Sequence, residues 1–341
     1  MQRPLLKCGG QEGEGRMKSS GIGGQAVLEG IMMKNHDDYA VAVRSANHEI
    51  VTEKRQYKSL ASKWRLFRLP FIRGIFSFID SMILGMKTLS FSANIYAQEE
   101  EPEEPSRLEA WLTEKMGEKF EKIVMGLTMA ISIVLAVAIF MMLPAVLSSF
   151  LKPVLPSLFW QSVLEGFIRV AIFMGYISLI SLMKDIRRVY MYHGAEHKCI
   201  NCIEHGLPLN AANVAKSSRF HKRCGTSFLI FVVLISVILF IIIRVDTLWL
   251  RLATRVLLIP VIAGISYEIL KLAGNSDHPL VNLISKPGLW VQRLTTKEPT
   301  EDMIEVAIRA VEEVFDWKSY LKQEFHIDVS ENQHGLHKER G

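Results

Sequence analysis

The sequence predicts a mainly α-helical, polytopic membrane protein with about four transmembrane helices, a small cytoplasmic β unit near the N-terminus and an interfacial helix. Three observations carry this reading. Apolar residues, 49% of the 341, gather into long uninterrupted runs instead of scattering at helical or strand periods. A short alternating stretch precedes those runs, and Lys and Arg cluster beside their ends. The net charge of +5 is mild and follows the apolar runs, so it suits anionic lipid, and no nucleic-acid-binding module is expected.

Residues 1–16 are polar and Gly-rich, without the basic-then-apolar layout of a secretory signal; Met17 is a second candidate start, which would make them a disordered extension. In the unit 17–63, Tyr39 to Val43 alternates, Ser45-Ala46-Asn47 turns and Glu49 to Lys54 resumes, the pattern of a hairpin. Gly21-Ile22-Gly23-Gly24-Gln25 follows no strand and lacks the Lys of a phosphate loop, so it reads as a flexible turn. Segment 64–98 is apolar but studded with charge. Its cleanest stretch, Gly74 to Met86, is too short for ~30 Å of hydrocarbon, which makes it interfacial or re-entrant. Glu99 to Pro105 opens an acidic linker and amphipathic lead-in, 99–122.

Four spans are expected within 123–274: Ile123 to Leu143, ended by Pro144; Val163 to Met183; Phe228 to Ile243; and Val256 to Ala273. Glu165 and Arg169 lie at i,i+4 in the second span and can neutralise each other, while Arg251 and Arg255 beside the fourth can carry their charge back to the headgroups. The loop 184–225 holds eight Lys and Arg against Lys152 alone in the loop before it, so it is cytoplasmic, as are both termini. In 275–328, Pro287 to Pro299 reads as irregular, and Thr300 caps an amphipathic helix carrying Met303, Ile304, Ala307, Ile308 and Val311. A disordered tail is expected over 329–341.

Chemistry concentrates in the cytoplasmic loop. If the second span continues as helix, His193 and His197 share a face at the spacing with which two imidazoles chelate one ion, and His-x-x-Glu-His is the inverted zincin pattern, making Glu196 a candidate general base. His221 and Cys224 close the same loop at i,i+3. A His193, His197, His221, Cys224 set suits a divalent transition metal, zinc above all, because thiolate disfavours magnesium and calcium. Four protein ligands would make a closed, structural site; three would leave a position open for catalysis. Glu204 and Glu268 are candidates for the shell around the ligands. The competing reading makes these histidines headgroup contacts and pairs Glu196 with Lys198 or Arg223. Cys199-x-x-Cys202 lacks the second half of a zinc ribbon.

Gly23 to Met33, His193 to Lys198, His221 to Phe228, Ser266-Tyr267-Glu268 and Pro287 to Thr296 together resemble the YqhQ-type family of bacterial multi-spanning membrane proteins, a domain of unknown function described as a predicted metal-dependent enzyme. The resemblance implies a bacterial plasma membrane location, and the family motif matches at His193, Glu196, His197, His221 and Cys224. The leading expectation is a metal-dependent hydrolase of the inner leaflet acting on a lipid or a membrane-protein segment. The alternatives are a metal-stapled scaffold or biogenesis factor with membrane-protein partners, and a transporter, for which only the second span offers polar groups.

Overall fold

The computed structural model describes residues 17–97, 118–276 and 278–329. The expected extension 1–16, the acidic run Glu99 to Pro105 and the tail beyond Val329 lie outside them.

Four strands form an antiparallel meander: β1 (Gly23–Val27), β2 (Gly30–Asn35), β3 (Asp38–Arg44) and β4 (Ile50–Gln56). The expected hairpin is β3–β4, with Arg44 opposite Ile50. The glycine-rich stretch is a correction, since from Gly23 it is strand and not a flexible turn. Composition hid this strand because its glycines show no alternation, yet glycine is what the position needs. A Cβ on Gly24 would lie 2.7 Å from the Met32 carbonyl oxygen and 3.0 Å from Glu196 Cδ.

Alternation along the strands buries both sheet faces. Val27, Met32, Tyr39, Val41 and Val43 pack with Leu84, Phe91 and Ile95 of helix α2 (Ile72–Ala97), which follows the single turn α1 (Leu60–Lys63). Ile31, Met33, Ala40 and Ala42 face the other way, into a core shared with α6 (Lys184–Glu204) and α12 (Glu301–Val314). The amphipathic α12 starts after Thr300 as expected, though Thr300 makes no side-chain capping bond.

The remaining helices are α3 (Glu118–Val137), α4 (Leu143–Phe150), α5 (Leu158–Ile180), α7 (Ala211–Lys216), α8 (Gly225–Ile242), α9 (Leu248–Leu257), α10 (Ile259–Asn275), α11 (Pro279–Thr295) and α13 (Trp317–Phe325). Among the described residues, four helices are long and apolar enough to cross a membrane: Ile72–Tyr96, Ile123–Phe150, Leu158–Ile180 and Gly225–Ile242.

Four sequence expectations are corrected here. Residues 72–97 form one 26-residue helix, continuous through Arg73, Asp80 and Lys87, so length and composition admit it as a crossing. The fourth expected span is instead the pair α9 and α10, bent by 44°, because Pro260 restarts the chain after Leu258. Pro287 sits inside α11 and the chain stays helical to Thr295, where an irregular segment was expected. Pro144 likewise does not stop its helix. A wide π turn, Ala138–Met142, joins α3 to α4, and the Phe140 carbonyl that Pro144 cannot serve accepts from Arg169 Nε at 2.9 Å.

Candidate metal centre

Helix α5 ends at Ile180, and α6 restarts at Lys184 after an extended Met183. The segment from Tyr192 to Lys198 is therefore helical, although not as a continuation of the span. Its spacing puts His193 and His197 on one face, with ring centroids 4.4 Å apart. Cys224 approaches from the N-cap of α8, where Sγ accepts the Thr226 N–H at 3.3 Å. His193 Nε2 lies 3.2 Å from Cys224 Sγ, and one donor atom each from His193, His197 and Cys224 all lie within 4.8 Å of one another.

Backbone carbonyls set the tautomers. His193 Nδ1–H donates to Thr295 O at 2.9 Å, and His197 Nδ1–H donates to Arg219 O at 2.7 Å. Both Nε2 atoms thereby point to the side of Cys224, where each can take a proton or a metal ion, the arrangement found where a histidine ligand is held from behind. Gly194 makes the Thr295 contact possible. Its Cβ would fall 2.0 Å from Lys297 O, and the bare backbone lets the Lys297 N–H reach Tyr190 O at 2.8 Å.

The electrostatics favour a cation in this pocket. Burial would push the Cys224 thiol up, but the His193 and His197 imidazoles outweigh it and hold the thiol well below its ordinary range. Burial would lower His193; the thiolate and Glu196 win and raise it to about 9. Burial pushes the Glu196 carboxyl up, with the two imidazoles opposing. Glu196 Oε2 is buried without a hydrogen-bond partner among the described residues. The ordinary ion pairs considered for Glu196 go elsewhere: Lys198 bonds Ala215 O, Ser217 O and Glu298, and Arg223 bonds Glu204 and Ser19.

The other sequence candidates take different places. His221 stays outside the three-donor cluster; its ring lies 5.8 Å from that of His197, and its Nε2 meets Glu204 Oε2 at 3.2 Å. Glu204 also accepts from Ser20 N at 2.7 Å and from Arg223, which ties the segment before β1 to α6. Glu268 bonds Arg73 Nε at 2.7 Å and joins α10 to α2, with no bond to the cluster. Cys199 and Cys202 are free and buried; burial raises both thiols, Cys202 to about 11. Gln292 was missed by reading residues for chemistry alone. Its amide accepts from His221 N at 2.9 Å and donates to His221 O at 2.7 Å, clamping the turn that delivers Cys224. The only signal for it was its place in the Pro287 to Thr296 string.

His193 and Glu196 open onto a cavity of about 810 Å³ between the sheet, α2, α6, α8 and α10. Met82, Leu84, Phe228 and Leu270 give it an apolar wall from helices in or beside the candidate crossings, while Lys34 and Arg223 place cations on its lining.

Comparison with known proteins adds kinship. Residues 69–317 match the family described as "Protein of unknown function (DUF1385)". The chain belongs to this family. It is also 35% identical over 302 residues to the "Uncharacterized protein YqhQ" of Bacillus subtilis (strain 168), an alignment covering 88% of this chain and 94% of that protein. No solved structure matches. The family resemblance seen in the motif strings is thus established, and the family carries no assigned activity, so function rests on the site.

Proposed function

We propose that this protein is a multi-pass protein of the bacterial plasma membrane, with both termini cytoplasmic, and a metal-dependent hydrolase acting at the inner leaflet on a lipid or a membrane-protein segment. One observation carries the proposal: three donors converge beside a buried carboxylate oxygen, Glu196 Oε2, that has no hydrogen-bond partner among the described residues. His193 Nε2, His197 Nε2 and Cys224 Sγ would hold a divalent transition metal, zinc first among them. Three ligands, with no fourth side-chain donor in the cluster among the described residues, are the pattern of an open, catalytic site. Bound there, the ion would supply Lewis acidity and lower the pKa of water.

The chain's own residues would do the rest. Thr295 O and Arg219 O hold the imidazoles in the ligating tautomer, and Glu196 takes up the proton of the nucleophilic water and returns it to the leaving group. Burial of Glu196 supports that role, because a carboxyl raised from its usual value is the stronger base. The apolar wall of the cavity, with Lys34 and Arg223 beside Asp80 and Glu196 on its lining, suits an amphiphile with a polar head.

The test uses full-length protein purified in detergent and reconstituted with total bacterial lipid. Wild type is expected to hold one equivalent of metal, to give an open-coordination spectrum with cobalt, and to release a lipid or peptide product seen by mass spectrometry. Glu196→Gln should keep the metal and lose the product. Wild-type protein without stoichiometric metal sinks the proposal. A four-ligand cobalt spectrum, with full in vivo function in the Glu196→Gln variant, would instead make the ion a structural staple.

A further inference from the structure

The charges within the candidate crossings do not balance. Glu165 and Arg169 form the expected i,i+4 pair at 2.8 Å, but Arg255 folds inward as well, placing Nε and Nη2 at 2.8 and 2.7 Å from the two oxygens of the same carboxylate. The expected escape of Arg255 to the headgroups is therefore overturned: only 2% of it is exposed, and Arg251, one turn earlier on α9, is 5% exposed. Two guanidiniums share one carboxylate, and the third, Arg251, is buried beside them with its Nη2 at 3.5 Å from the neutral Gln161 Oε1.

The remaining contacts are neutral. Arg169 also donates to Phe140 O and to Ser236 Oγ, and Arg251 donates to Val245 O. The Phe240 ring lies 4.6 Å from the Arg169 guanidinium carbon and 3.7 Å from that of Arg255. Asp246 is exposed and paired with Lys152, so among the described residues Glu165 is the carboxylate that bonds this cluster. Arg255 Nη1 is buried with no hydrogen-bond partner among the described residues. Such excess charge in a buried interior favours an anion, and the unbonded Nη1 of Arg255 presents N–H donors to an oxyanion.

We propose that Arg169, Arg251 and Arg255 form a binding site for a phosphate-type oxyanion, either the phosphodiester headgroup of an anionic lipid or free phosphate, with Glu165 positioning two of the guanidiniums. The site is separate from the metal cluster. Ser236 lies twelve residues along α8 from Cys224, roughly 18 Å at about 1.5 Å per residue. It stands or falls independently of the hydrolase proposal.

The test is thermal unfolding of delipidated full-length protein, titrated in turn with inorganic phosphate, phosphatidylglycerol and phosphatidylcholine. Wild type is expected to show a saturable rise in Tm with phosphatidylglycerol, and a weaker one or none with phosphatidylcholine. A response to inorganic phosphate as well assigns the site to the free anion; a response to the lipid alone assigns it to a headgroup. Arg255→Gln should weaken binding by about tenfold or more, the scale of one charged hydrogen bond. If Arg255→Gln does not fold, Arg251→Gln, which leaves the Glu165 pairs intact, gives the same readout. Wild type without response to either anion, or arginine variants that bind like wild type, would overturn the proposal.

Discussion

His193 and His197 each commit Nδ1 to a backbone carbonyl, which leaves both Nε2 atoms aimed at Cys224. His193→Ala, His197→Ala and Cys224→Ser are each expected to lose bound metal when the purified proteins are assayed by mass spectrometry. His221→Ala should keep it, because that ring is engaged by Glu204; loss of metal from this variant would restore His221 to the ligand set. Cys224 and Glu196 raise His193 to about 9 against its burial, so a metal binding at neutral pH would have to displace its proton. Affinity should therefore rise with pH towards 9 and fall in acid. Calorimetry in buffers of different ionisation heat should count about one proton released per ion at pH 7. The sequence named every donor of this cluster, because i,i+4 spacing on a helix leaves little choice of face. It could not say that His221 stands aside, since that depends on where Glu204, at the far end of α6, comes to rest.

Two elements deliver the donors and a third orients one of them: α6 brings the histidines, α8 caps itself with the cysteine, and the end of α11 supplies the Thr295 carbonyl that accepts from His193. Their approach rests on Gly194. Gly194→Ala would drive a methyl group into Lys297 O and push α6 from the strand-like segment behind it. The expected result is a loss of about 1–3 kcal/mol, the usual cost of forcing bulk into a packed contact, together with weaker metal binding. Unchanged Tm and metal content in Gly194→Ala would refute this account. Gln292→Ala should also destabilise the fold by about 1–3 kcal/mol, by leaving the His221 backbone groups buried and unpaired. At this scale the apolar runs located the helices well, while their breaks were misjudged. Proline signals a missing donor, but whether the helix stops, bends or widens depends on what takes the freed carbonyl, and Arg169 from α5 does so for Phe140.

Across the whole molecule, the sheet, α6 and α12 share one hydrophobic core, so the β unit, the metal cluster and the C-terminal helix belong on the same side of any membrane the helices cross. Single cysteines replacing exposed Lys54 and Glu312, in a background with Cys8 changed to serine, should react alike with an impermeant maleimide. Trp249→Cys, beyond the far end of α8, should react from the opposite side; identical labelling of all three would exclude α8 as a crossing. By itself the sequence determined the helical class, the β3–β4 hairpin, the amphipathic α12 and the residue types of the His/His/Cys cluster, because periodicity, uninterrupted apolarity and ligand spacing are local properties of the chain. Only the tertiary structure decided that a glycine-rich stretch is the edge strand beneath Glu196, that Arg255 turns inward to Glu165, and that three of four candidate ligands meet. Those outcomes depend on contacts between residues far apart in sequence, where the cost of burying a charge or a carbonyl is settled by whichever partner another element brings.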